Sequence, residues 1–138
     1  MAGTHFKVLD ASVIIKWFSQ EEGSDRAEVY LQNYKNKQFS ILIPTLLYYE
    51  LGNTLFVKKT TKNQISEIMH IMQSLHLTVE NIGEEAFRKV FENASDYQIT
   101  FYDSAYVTLM QKNNCEFITA DKKLYNKLKN KFSKITLL

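Results

Sequence analysis

Phe6-Lys-Val-Leu-Asp10-Ala-Ser12-Val-Ile-Ile15 is the stretch from which the fold is read. Its first four residues make a short apolar run of strand type, and an isolated carboxylate follows at once, ahead of a second apolar run. Asp is a favoured helix N-cap, so capping is the plain explanation. Ser12, however, is itself a competent cap for the segment that follows. Asp10 is thereby left at the C-terminal end of a strand with no evident local task.

Working outward, Ile41-Leu-Ile43 reads as a second strand and Leu77-Thr-Val79 as a weaker third. Glu116-Phe-Ile-Thr119 gives a fourth, and residues 135–138 a fifth. The intervening segments are helical. Ala27, Tyr30, Leu31 and Tyr34 follow the i, i+3, i+4, i+7 spacing of a one-sided helix, as do Ile65, Ile68, Met69 and Met72 behind a Thr61-x-x-Gln64 capping box. Phe87, Val90, Phe91 and Ala94 repeat the spacing, with Glu84 and Glu85 in the favourable first turn. Such apolar stripes are core. Short strands alternating with helices predict an α/β fold whose parallel sheet is covered on both faces, and several gaps are long enough for two helices.

The chain has 138 residues, enough for one domain with a real core, and 45% of them are hydrophobic against 23% charged, which excludes disorder. No linker, repeat or low-complexity segment divides it, so a single domain over residues 1–138 is expected. Net charge is only +2, which by itself calls for no nucleic acid. The charge is uneven: residues 112–138 carry seven lysines against Glu116 and Asp121, a run that reads first as a solvated face. Cys115 is the single cysteine, so no intrachain disulfide forms. The N-terminal residues meet His5, Lys7 and Asp10 too soon for a secretory signal, and the uncharged run from Phe39 to Tyr49 is too short to span a bilayer. A soluble, cytoplasmic protein is expected.

Three further acids stand out beside Asp10. Pro44 suits a first helical turn, and residues 44–57 read as a helix on which Glu50 shares a face with Leu46, Leu47 and Val57. A lone carboxylate there is costly to desolvate unless paired, protonated or bound to a metal. Asp103 sits in Thr100-x-x-Asp103, which resembles a capping box, but it also shares an arc with Val107 and Met110, while Ser104, Thr108 and Gln111 take the polar side. Asp121 follows the fourth strand, where an N-cap is its natural role. No single acid settles the question. Together, two lie just past strand ends and two on inward helical faces, and four carboxylates gather only around a cation. A set with oxygen ligands and no His or Cys selects a hard ion such as Mg²⁺ or Mn²⁺, which can acidify a water and stabilise charge on a phosphate.

With these residues in place, the chain resembles a PIN-domain nuclease, and within that family it is similar to the VapC-type toxins of toxin–antitoxin pairs. The resemblance rests on Val-Leu-Asp10-Ala-Ser12, Leu-Tyr-Tyr-Glu50-Leu-Gly-Asn53-Thr-Leu, Phe-Tyr-Asp103-Ser-Ala-Tyr and Phe-Ile-Thr119-Ala-Asp121, in the family's order over nearly the whole chain. It implies a five-stranded parallel sheet in a Rossmann-like, three-layer sandwich. It further implies a Mg²⁺ or Mn²⁺ site in which Asp10, Glu50 and Asp103 hold the main ion and Asp121 completes it or holds a second ion, with Ser12, Thr119 and Asn53 in supporting roles. The implied activity is endonucleolytic hydrolysis of RNA by a metal-activated water, which leaves His5, His70 and His76 without a role. It also implies a homodimer and a small VapB-like antitoxin protein as partner. Lys58, Lys59 and Lys62 after the Glu50 helix, and Lys16 among apolar neighbours, are the lysines placed to meet RNA phosphates.

The rival readings fit less well. An aspartyl-nucleophile phosphatase wants a second Asp two residues after the first, where Ser12 stands. A receiver-like Mg²⁺-binding signalling domain wants adjacent acids after the first strand and an Asp after the third, and neither is present. A PIN-like fold used only as a binding scaffold is separated from the enzyme by an activity assay alone. No phosphate-cradling glycine loop or Cys/His zinc spacing occurs.

Overall fold

A computed structural model describes residues 5–138. The first strand, β1 (Phe6–Leu9), runs into a short helix, α1 (Ala11–Ile14), which tightens into a 3₁₀ turn over Ile15–Phe18. Helix α2 (Ser24–Lys35) leads to β2 (Ser40–Ile43), followed by α3 (Leu46–Val57), α4 (Lys62–Leu75) and the two-residue strand β3 (Thr78–Val79). Then come α5 (Glu84–Tyr97), α6 (Phe101–Asn113), β4 (Glu116–Thr119), α7 (Lys122–Leu128) and β5 (Ile135–Leu137).

The five strands form one parallel sheet in the order β3-β2-β1-β4-β5. Side chains alternate across a strand, so neighbours on one strand enter different cores. Leu9, Ile41, Ile43 and Ile118 pack with Val13, Ala27, Leu47, Leu51 and Leu75 on one face. Val8, Leu42 and Phe117 pack with Tyr106, Val107, Leu109 and Leu128 on the other. The three-layer α/β fold expected from the strand and helix pattern is therefore present, and each of the three gaps from β1 to β4 holds two α-helices. Lys7 and Glu116 face each other in register on β1 and β4 and form an ion pair at 2.5 Å, with the Thr136 hydroxyl donating to Glu116 from β5 at 2.7 Å. That pairing fixes the strands toward their N-terminal end and leaves the C-terminal ends free for chemistry.

Two sequence expectations change. Ser104 and Thr108 lie buried rather than on a polar outer side, because α5 covers that flank of α6. Their polarity is satisfied internally: Ser104 donates to the Val90 carbonyl at 2.5 Å, and the buried Asn93 amide donates to Thr108 at 3.0 Å and to Gln111 at 2.7 Å. Val57, expected on the inward face with Glu50, is exposed instead, because it stands at the last turn of α3, beyond the sheet. The Thr61–Gln64 capping box forms with both of its hydrogen bonds.

Candidate active site

Strand β1 has β2 on one side and β4 on the other, so the chain reverses its direction of winding between β1 and β4. In open parallel sheets, ligands bind at this switch point, beyond the C-terminal ends of the strands. Asp10 leaves β1 there, and Thr119 and Asp121 end and follow β4.

Asp10 is 6% exposed and is the N-cap of α1, accepting from the Ser12 backbone amide at 3.1 Å. The expectation that Ser12 caps this helix and frees Asp10 is thus corrected: Asp10 caps, because its extended backbone precedes the helix by one residue. The Ser12 hydroxyl donates to one Asp10 oxygen and accepts from the Ala120 amide at 2.9 Å. The Thr119 hydroxyl donates to the other Asp10 oxygen at 2.6 Å and accepts from the Asp121 amide at 3.1 Å. Both supporting hydroxyls therefore link β1 to the turn after β4 through a single carboxylate. Burial pushes the Asp10 carboxyl up to about 7, the two hydroxyls oppose this, and the negative charges of Asp103 and Glu50 add to it.

Glu50 is half-buried on α3 and accepts from the Tyr106 hydroxyl of α6 at 2.6 Å. Burial raises its pKa, the Tyr106 bond opposes, and Asp103 adds repulsion. Asp103 is half-buried in the first turn of α6, where its backbone amide donates to the N-cap Thr100 hydroxyl at 2.9 Å. Its carboxyl is raised by burial and by Asp121, while the Thr100 hydroxyl and Lys127 pull it down. Asp121 is exposed and caps α7, accepting from the Leu124 amide at 3.1 Å, as its position after β4 suggests. Asp10, Glu50, Asp103 and Asp121 thus come from four segments to one edge of the sheet, each within electrostatic reach of at least one other. None of them has an ion-pair partner among the described residues.

That donor set suits a hard divalent ion: carboxylates lie beside two hydroxyls, and three of the carboxyls are pushed up by burial and by each other. Among the described residues, no three of His, Cys, Asp and Glu close around a single ion position.

Tyr106 is the site residue that sequence reasoning left without a role. It lies three positions after Asp103 on the same helix, and that spacing is the signal that it faces the same way. Asn53 is exposed on α3. Among the lysines, Lys16 and Lys58 are both drawn to Glu21, at 2.8 and 3.1 Å, and Lys16 above all holds that carboxyl down at about 2. Their charges are thus partly neutralised within the chain. Lys59 and Lys62 are exposed. His70 and His76 lie exposed on and just after α4, away from the carboxylates.

The sequence matches the PIN-domain family over residues 7–129, and the chain belongs to that family. The fold is similar to that of PAE2754 from Pyrobaculum aerophilum, with a TM-score of 0.65 at 20% identity, covering 90% of this chain and 79% of that one. A toxin–antitoxin complex from Klebsiella pneumoniae gives a TM-score of 0.66 at 13% identity, covering 94% and 95%. VapC20 from Mycobacterium tuberculosis, a toxin that cleaves the sarcin–ricin loop, gives 0.65 at 13%, covering 87% and 93%. No curated protein matches the sequence.

Proposed function

We propose that this PIN-domain protein is a divalent-metal-dependent endoribonuclease and the toxin of a toxin–antitoxin pair. The observation that carries the reading is the Asp10 carboxylate. It is buried at the switch point of the sheet, fixed by Ser12 and Thr119, and repelled by Glu50 and Asp103, with no cation of the described chain beside it. Asp10, Glu50 and Asp103 would hold Mg²⁺ or Mn²⁺, with Asp121 completing the set. Bound there, the ion lowers the pKa of a water and offsets charge on a phosphodiester. The chain's own part is positional. Ser12 and Thr119 lock the Asp10 rotamer, Tyr106 orients Glu50, and the Thr100 cap fixes the turn that carries Asp103.

The toxin assignment is supported by the resemblance in sequence motifs and by the fold shared with the Klebsiella complex and with VapC20. A partner fits the surface as well: an apolar groove between α3 and α4, lined by Tyr48, Leu55, Ile68 and Met69, lies open. The small antitoxin and the homodimer belong to the same reading. Incubating the partner-free protein with single-stranded and structured RNAs in Mg²⁺, Mn²⁺ or EDTA tests it, with Asp103→Asn alongside. Metal-dependent cleavage that disappears in Asp103→Asn is the expected result. Equal cleavage by both proteins, or none with any RNA, overturns the nuclease.

A further inference from the structure

The cavity that Asp103 and Asp121 share is not walled by acids alone. It has a volume of about 410 Å³, and Gln98, Thr100, Lys123 and Lys127 also line it. Lys123 and Lys127 are four residues apart on α7 and so project from one side of that helix. The Lys127 ammonium is fixed there by donating to the Gln98 carbonyl at 2.7 Å, and its charge is felt at Asp103. Lys123 is exposed and has no ion-pair partner among the described residues. Two cations and two anions thus face one space of nucleotide size.

An RNA strand brought to the carboxylates meets their repulsion at the neighbouring phosphates, which the metal does not hold, unless cations stand beside them. Lys16 and Lys58 are tied to Glu21, whereas Lys123 and Lys127 open on the cavity that holds Asp103 and Asp121. We propose that this cavity is a backbone subsite, in which Lys127 and Lys123 hold the phosphate next to the one at the carboxylates. Part of the lysine-rich C-terminal region is then a phosphate track rather than a solvated face, and the strand passes between α5 and α7. The subsite rests on the nuclease reading, since it gives that reading's substrate its path.

The test measures affinity for a mixed-sequence single-stranded RNA 12-mer against salt in Mg²⁺. A Glu50→Gln background keeps the strand whole. Each phosphate of a single strand left without its cation lowers the slope of log K against log salt by about 0.7. Lys123→Met with Lys127→Met is expected to lower the slope by about 0.7, the share of one phosphate, and to weaken binding about fivefold at ~0.1 M salt. Lys127→Arg is expected to keep it, and Lys131→Met, outside the cavity, to change it little. Lys123→Met alone breaks no hydrogen bond of the fold, so it reports on the subsite even if Lys127→Met loosens the end of α5. An unchanged slope in the double variant, or an equal loss in Lys131→Met, overturns the subsite while Asp103-dependent cleavage by the parent still upholds the nuclease. A parent that neither binds nor cleaves RNA overturns both.

Discussion

Tyr106 carries two jobs on one side chain. Its ring stacks almost parallel to Phe117 at 5.9 Å between centroids in the core, and its hydroxyl donates to Glu50 from 56 residues away. Tyr106→Phe removes the second job and leaves the first. Glu50 is half-exposed and regains its hydrogen bond from water, so stability is expected to fall by no more than about 1 kcal/mol. The orientation of Glu50 is lost, and partners that orient metal ligands contribute roughly 10–100-fold to affinity. The Mg²⁺ concentration for half-maximal cleavage is therefore expected to rise about tenfold, with kcat at saturating Mg²⁺ changed far less. An unaltered Mg²⁺ titration would remove Tyr106 from the site. At this scale, the four acids were legible as candidates because each has a recognisable place after a strand or on a helix, whereas Ser12 and Thr119 entered as supporting candidates only through the family resemblance. What joins them was not legible. The Thr119–Asp10 bond spans 109 residues, and no local pattern encodes which hydroxyl meets which oxygen. Ser12 shows the same limit, since a residue fit to cap a helix holds the capping residue instead.

Among the elements, α6 depends on α5 for its polar flank, and Asp103 and Tyr106 both ride on α6. Asn93, 1% exposed, holds Thr108 and Gln111 together across that seam. Asn93→Ala strands the buried Thr108 acceptor and opens a small void, while half-exposed Gln111 regains its bond from water, so a loss of about 1–2 kcal/mol is expected. Urea denaturation checks it: the midpoint should fall with the slope unchanged. A midpoint equal to the parent's would show that Asn93 does not hold the two helices together. The strands and the apolar stripes were readable from periodicity because each is a local property of the chain. The seam was not, since Ser104, Thr108 and Gln111 look like a solvent face until α5 packs on them. Helix ends hid for a related reason. α4, α5 and α6 terminate in left-handed His76, Gln98 and Asn114, where glycine is the usual signal and is absent.

For the whole molecule, the carboxylate cluster sets stability against pH, and the direction follows from Asp10. Its folded carboxyl titrates near 7 against an ordinary value of 3.8, because burial disfavours the charged form. Below pH 4 the group is protonated in both states and has no effect. From pH 4 to 7 the unfolded chain ionises first, so folding must take up a proton or bury a charge, and stability falls as pH rises. Above 7 the full cost is present, on the order of 4 kcal/mol for a shift of this size. Glu50 and Asp103, also raised, push the same way. Glu21, held down above all by Lys16, acts oppositely: the stability it confers is present above about pH 4.5 and lost as pH falls toward 2, and Glu116, lowered against its burial by Lys7 and Thr136, pushes in the same direction. In EDTA the melting temperature is thus expected to peak in mildly acid solution and to decline toward pH 8. A divalent ion at the carboxylates cancels the repulsion, so Mg²⁺ should raise the melting temperature at pH 8 and do little at pH 4.5, where protons compete for the same oxygens. Asp10→Asn should flatten the decline in EDTA and abolish most of the Mg²⁺ effect. A metal-free melting temperature that climbs steadily from pH 5 to 8 would show that Asp10 is ionised and compensated without any metal, and the case for the ion would lose its physical basis.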